Sequence, residues 1–123
     1  MNLNSILIGS AQPERLKQYY TKLFGDPSWD GSGYTSWAIG SGWVTVGPHD
    51  QVEGPNAHPG RIIWNIESAD VRGDFDRLVA AGATVVAEPY TMGDDDTEGL
   101  IATLADPDDN YFQLISPMED VPA

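Results

Sequence analysis

The chain has 123 residues, enough for one ordinary domain or two small modules sharing a core. It carries 19 acidic against 6 basic residues, a net charge of -13, which argues against nucleic acid and anionic membrane surfaces as partners and favours a cationic one. Cysteine is absent, which excludes disulfides, thiol catalysis and thiolate metal sites. No apolar run approaches the ~20 residues of a membrane span. The start, Met1-Asn2-Leu3-Asn4, lacks the basic stretch and long apolar run of a signal peptide, so a cytoplasmic protein is expected. Only two histidines, His49 and His58, are available for metal chemistry.

Leu3 to Gly9 reads as a buried strand centred on Ile6, Leu7 and Ile8. Pro13 suits the first position of a helix, where its missing N–H costs nothing. Leu16, Tyr19, Tyr20, Leu23 and Phe24 then recur at helical spacing, and Gly25 is a stop. Asp26 to Gly33, holding Trp29, reads as turns. Tyr34 to Ile39 and Gly42 to Val46 read as two strands joined by the hairpin signal Gly40-Ser41. Gly47 to Gly60 has no periodicity and reads as a connecting segment.

The pattern then restarts. Arg61 to Glu67 is a strand around Ile62-Ile63-Trp64, and Asp70 is an N-cap. Val71, Phe75, Leu78 and Val79 form a helical stripe ended by Gly82. Thr84 to Ala87 is a strand stopped by Glu88-Pro89, and an acidic loop follows from Met92 to Gly99. Leu100 to Ala105 and Tyr111 to Ser116 make a hairpin around Asp106-Pro107-Asp108-Asp109-Asn110. Each half is thus strand, helix, then strands. Echoes support a repeat: Ile8-Gly9-Ser10-Ala11 with Ile66-Glu67-Ser68-Ala69, and Gly42 to Val46 with Asn110 to Leu114.

Three stretches resemble the vicinal oxygen chelate superfamily of glyoxalase I, bleomycin-resistance proteins and extradiol dioxygenases. They are Pro13-Glu14-Arg15-Leu16-x-x-Tyr19-Tyr20-x-x-Leu23-Phe24-Gly25, Asp74-x-x-Arg77-Leu78-x-Ala80-Ala81-Gly82-Ala83, and Ala105-Asp106-Pro107-Asp108-x-Asn110-Tyr111-Phe112-Gln113-Leu114. Asp109 stands where that turn commonly has glycine, and Asp tolerates the left-handed conformation. The resemblance implies an α+β fold of two tandem βαβββ modules whose curved mixed sheet forms a central cleft. Module one is expected over 1–47, a linker over 48–60, module two over 61–117 and a tail over 118–123.

The resemblance also implies a divalent metal in the cleft, held by His, Glu or Gln on the first and last strands of each module. Those positions match Ser5, Thr45 or a neighbour, Arg61 or Ile63, and Gln113. Only Gln113 is a ligand type of that family. Hydroxyls are weak ligands, arginine repels a cation, and both histidines lie in the connecting segment, so neither a metal nor another cofactor is expected. Strand alternation puts Trp43, Asn65, Glu67 and Tyr111 beside Ser5, Thr45, Ile63 and Gln113, with Ile62, Trp64 and the other apolar strand residues facing the helices. Trp37, Trp43 and Tyr111 are candidate stacking walls for a planar ligand.

The expected ligand cleft is therefore Ser5, Trp37, Trp43, Thr45, Arg61, Ile63, Asn65, Tyr111 and Gln113, taking a small organic molecule, aromatic or cationic. The competing expectation is an isomerase, lyase or dioxygenase of the same fold, with an unconventional metal site or with Glu67 as a base near Arg61. A hydrogen-bonded cluster filling a vacated metal site is the plainer reading of Arg61, Asn65, Glu67 and Gln113. The run Asp94-Asp95-Asp96 with Glu98 lacks the spacing of a calcium loop and reads as a solvated acidic loop. The family habit of pairing modules across a two-fold axis implies a homodimer.

Overall fold

The computed structural model describes residues 1–91 and 99–117. The acidic run from Asp94 to Glu98 and the expected tail lie outside the described residues. The chain divides into two compact units. Of the described residues, unit one takes 1–57 together with the hairpin turn 106–110, and unit two takes 58–91, 99–105 and 111–117. Among the described residues, no helix is long and apolar enough to cross a membrane.

Unit one holds β1 (Ser5–Ser10), α1 (Pro13–Phe24), β2 (Trp29–Gly31), β3 (Tyr34–Ile39) and β4 (Gly42–Pro48). Its sheet runs β1-β4-β3-β2, with β1 parallel to β4 and the other pairs antiparallel. A parallel pair needs a crossover, and α1 begins it. Leu16, Tyr20 and Leu23 fall on one helical face and are buried with Val44, Val46 and Trp37. Tyr20 stacks on Phe24 at 5.6 Å and meets Trp37 at 6.0 Å. The Trp37 indole donates to the Gly25 carbonyl at 3.0 Å, so its one polar atom stays bonded inside the core.

Unit two repeats this plan with β5 (Trp64–Glu67), α2 (Val71–Ala80), β6 (Thr84–Thr91), β7 (Leu100–Ala105) and β8 (Tyr111–Ile115), in the order β5-β8-β7-β6. Asp70 caps α2 by accepting from the Gly73 amide at 3.0 Å. Val71, Phe75 and Leu78 are buried with Phe112, Leu114, Leu104 and Ala102. The serine echo has a physical meaning. Ser10 ends β1 and Ser68 directly follows β5; both are buried and accept from the amide two residues on. Each hydroxyl also donates to a carboxylate, Asp108 for Ser10 and Asp74 for Ser68.

Four expectations need correction. The first strand begins at Ser5 rather than Leu3, and Leu7 at its centre is exposed because it alternates away from α1. The turn-rich stretch after α1 contains a short strand, β2, because Trp29–Gly31 extends the sheet beyond β3. The first strand of unit two starts at Trp64, so Arg61 and Ile62 lie in a bend; Ile62 is 75% exposed and does not face the helix. The strand from Thr84 does not stop at Pro89 but runs to Thr91. Here β6 is an edge strand with register shifts between Val85 and Tyr90, a setting that tolerates a residue without an N–H.

The turn 106–110 is organised by one carboxylate. Asp106 is 2% exposed. Its Oδ1 accepts from the backbone amides of Asp108 at 2.8 Å and Asn110 at 3.0 Å, and from the Asn110 side chain. Its Oδ2 accepts from Asn110 Nδ2 at 3.0 Å and from the Tyr20 hydroxyl at 2.7 Å. Asp108 accepts from Ser10 Oγ and pairs with Arg15, which also donates to the Pro107 carbonyl. Asp109 takes the left-handed conformation, with φ 63°. The turn is thereby fixed to the end of β1 and to α1.

Burial pushes the Asp106 carboxyl above its ordinary value against the pull of the donated hydrogen bonds. Burial, with Asp106 beside it, pushes the Tyr20 phenol well above its ordinary 10.0. Folding therefore favours neutral Tyr20. That contribution is fully present below about pH 10 and is lost as pH rises through the higher folded value. Asp106→Ala leaves buried amide donors without an acceptor and should cost on the order of 3 kcal/mol in urea denaturation. Tyr20→Phe should cost about 1–3 kcal/mol at neutral pH. It should also remove the Tyr20 part of the alkaline loss of stability, which denaturation curves above pH 10 will show.

Candidate functional site

The residues that alternate away from the helices form a helix-free face on each sheet. In unit one the register puts Leu7, Thr45, Ser36 and Trp29 in one row across all four strands. Ser5, Trp43 and Ala38 form the next row. Ser36 and Thr45 share a hydrogen bond of 2.7 Å between their hydroxyls. Leu7 is 56%, Trp29 53% and Trp43 38% exposed. Two large aromatic side chains and one aliphatic side chain thus surround a short polar pair.

Glycine makes part of this face. A Cβ on Gly47 would lie 2.1 Å from the Tyr34 ring, so only glycine lets that ring lie across β4. The Tyr34 hydroxyl then donates to the Pro48 carbonyl at 3.2 Å.

In unit two the equivalent row is Asn65, Gln113, Thr103 and Ala87. Gln113 Nε2 donates to Thr103 Oγ1 at 2.9 Å. This pair is the repeat of Ser36 and Thr45: each joins the last strand of its unit to the strand before it. The next row is Glu67, Ile115, Ile101 and Tyr90. Tyr111 pairs with Ala105 in the row on the other side.

The sheets sort the expected site residues. Ser5, Trp43 and Thr45 share the helix-free face of unit one, and Asn65, Tyr111 and Gln113 share that of unit two. Trp37 does not belong with them. Its partner across the hairpin is Val44, so it points towards α1, and it is 1% exposed in the core. Trp29 shares the row of Ser36 and Thr45 instead, and it was hidden from the sequence because Ser-Trp-Asp-Gly has turn composition. Ser36 and Thr103 were also missed. The two-residue turn Gly40-Ser41 pairs Ile39 with Gly42, and counting back from it would have found Ser36 opposite Thr45.

Ile63 lies just before β5, and Arg61 lies in the bend before that. Ser5 stands five residues before Ser10, and Ile63 five before Ser68, so the repeat pairs Ile63 with Ser5. Glu67 is exposed at the end of β5. Among the described residues no ion pair joins it to Arg61. Nor do three His, Asp or Glu side chains come together as a metal-holding group among those residues.

A separate cavity of about 310 Å³ lies in unit one between the connecting segment and the turn 106–110. Gly9, Val52, Glu53, Asn56, Asp108 and Asn110 are among its lining residues. It is distinct from the residues expected to form the cleft.

Comparison with known proteins agrees with this architecture. The glyoxalase-like domain family matches residues 5–115. A glyoxalase-related enzyme from Fulvimarina pelagi is similar in structure, with TM-score 0.72 and 18% identity over 95% of this chain and 88% of that one. A glyoxalase/bleomycin resistance protein/dioxygenase family enzyme from Burkholderia phytofirmans PsJN gives TM-score 0.71 and 18% identity over 96% of this chain and 100% of that one. A glyoxalase/bleomycin resistance protein from Albidiferax ferrireducens T118 gives TM-score 0.72 and 17% identity over 94% of this chain and 98% of that one. No curated protein matches the chain. With its two βαβββ units and a family match over nearly its whole length, the chain belongs to the glyoxalase-like domain family of the vicinal oxygen chelate superfamily.

Proposed function

We propose that this protein binds a small organic molecule with a planar ring, and that it does so without a divalent metal at the family's ligand positions. The observation that carries the reading is the use made of Thr45 and Gln113. Both stand on last strands, where the family places metal ligands. Each is instead hydrogen-bonded to a hydroxyl of the neighbouring strand, Thr45 to Ser36 and Gln113 to Thr103. The companion first-strand positions hold Ser5 and Ile63.

This donor set does not fit a divalent cation. Two neutral hydroxyls, one carboxamide and one alkyl side chain supply no negative charge and no imidazole. No catalytic step is therefore assigned to a metal. The residues present can contribute stacking from Trp29 and Trp43, apolar contact from Leu7, and hydrogen bonds from the hydroxyl pair. The net charge of -13 favours capture of a cationic ring over an anionic one.

Tryptophan fluorescence titration with the planar cation acridine orange tests the binding face. Trp29→Ala and Trp43→Ala should each weaken binding by about tenfold, the loss of one good ring contact. Unchanged affinity in both variants would refute the face. Elemental analysis of freshly purified protein should find well under one equivalent of zinc, nickel, iron or manganese per chain. Near-stoichiometric metal would overturn the metal-free part of the reading. A double-mutant cycle of Thr103→Val and Gln113→Leu should return a coupling of about 0.5–1.5 kcal/mol, as expected for two partners of one hydrogen bond.

A further inference from the structure

The cavity beside the turn 106–110 begins at Gly9, one row beyond Leu7 on unit one's helix-free face, and differs from that row in chemistry. Its wall is the connecting segment, held to the turn by two hydrogen bonds. The Asn56 amide donates to the Asp108 carbonyl at 2.8 Å, and Asn56 Nδ2 donates to Asn110 Oδ1 at 3.2 Å. The segment is itself closed by the Val52 amide donating to the His49 carbonyl at 3.1 Å. Its approach to the sheet depends on Gly9, where a Cβ would lie 2.8 Å from the His49 Cβ and 3.4 Å from Val52. The cavity is thus a built feature, not a gap under a loose loop.

The lining is acceptor-rich and one-sided in charge. Two acidic residues, Glu53 and Asp108, border it, and among the described residues no lysine, arginine or histidine does. Asp108 is already fixed by Ser10 and Arg15. Glu53 is exposed and has no hydrogen-bond or ion-pair partner among the described residues, so its carboxylate is open to a ligand at the rim. Carboxamides bring further acceptor oxygens, while Val52 and Pro55 give a short apolar wall. The volume, about 310 Å³, suits a small molecule.

We propose that this cavity binds a small organic cation bearing N–H donors, a primary ammonium or guanidinium on a short aliphatic chain. Glu53 supplies the charge partner. The acceptor oxygens around the turn take the N–H groups, and Val52 and Pro55 pack against the methylenes. The site shares none of the residues proposed for ring binding, although Gly9 adjoins the Leu7 row, so the two proposals are tested with different variants and probes.

Agmatine, which carries both cationic groups on a four-carbon chain, is the probe. Titrated into the isotope-labelled protein, it should give saturable shifts concentrated at the amides of Val52, Glu53, Asn56 and Asn110. Glu53→Gln should weaken binding at least about fivefold, since it removes the charge and keeps the shape. Asp76→Asn, an equal charge change on the exposed side of α2, should leave it unchanged. Tetramethylammonium, charged but without N–H donors, should give no comparable shifts. The proposal is overturned by absence of saturation at millimolar agmatine, by equal weakening in both variants, or by equal shifts from tetramethylammonium. The spectrum of each variant also reports whether it is folded.

Discussion

A single carboxylate with almost no access to water organises the first unit. Asp106 accepts five hydrogen bonds from Tyr20, Asp108 and Asn110. A buried carboxylate is tolerable only when its lone pairs are met, and here backbone amides, a carboxamide and a phenol meet them. The consequence is long-range. A turn late in the chain is fixed to a helix near its start, and Asp108 extends that fixation to Ser10 and Arg15. This explains the residue types in the Asp-Pro-Asp-x-Asn signature without reference to catalysis. Asp106 is the acceptor, Asn110 returns a carboxamide to it, and Asp109 takes the left-handed backbone between them.

The two units show how a repeated plan is kept while its chemistry is changed. The plan survives in the first-strand serines. Ser10 and Ser68 make the same local amide bond, and each finds a carboxylate, though from different elements. It survives again in the cross-strand pairs Ser36–Thr45 and Thr103–Gln113. The residues that carry the plan differ: two hydroxyls in unit one, a hydroxyl and a carboxamide in unit two. At Thr45 and Gln113 the side-chain hydrogen bonds close within their own sheet.

Much of the fold was legible because its signals were local. Pro13 and Gly25 bracket α1, Asp70 caps α2, and Gly40-Ser41 fixes the β3–β4 register. Period-two alternation sorted Thr45 and Gln113 from Val44 and Phe112 correctly. The failures have equally physical reasons. Trp37 looked like a wall residue because its aromaticity outweighed its parity; its register partner Val44 already placed it in the core. Ile62 looked buried because it is apolar, but β5 had not yet begun. The Trp29 strand and the cavity under the connecting segment rest on pairing between segments. Local composition carries no sign of either.

The central claim is that hydrogen bonds to Asp106, not contacts of the turn's own surface, hold residues 106–110 in place. Amide hydrogen exchange tests it residue by residue. The Asp108 and Asn110 amides, although in a turn, should exchange as slowly as core-strand amides such as those of β4, opening only with global unfolding. Exchange of these two amides at the rates of open loops would contradict the account.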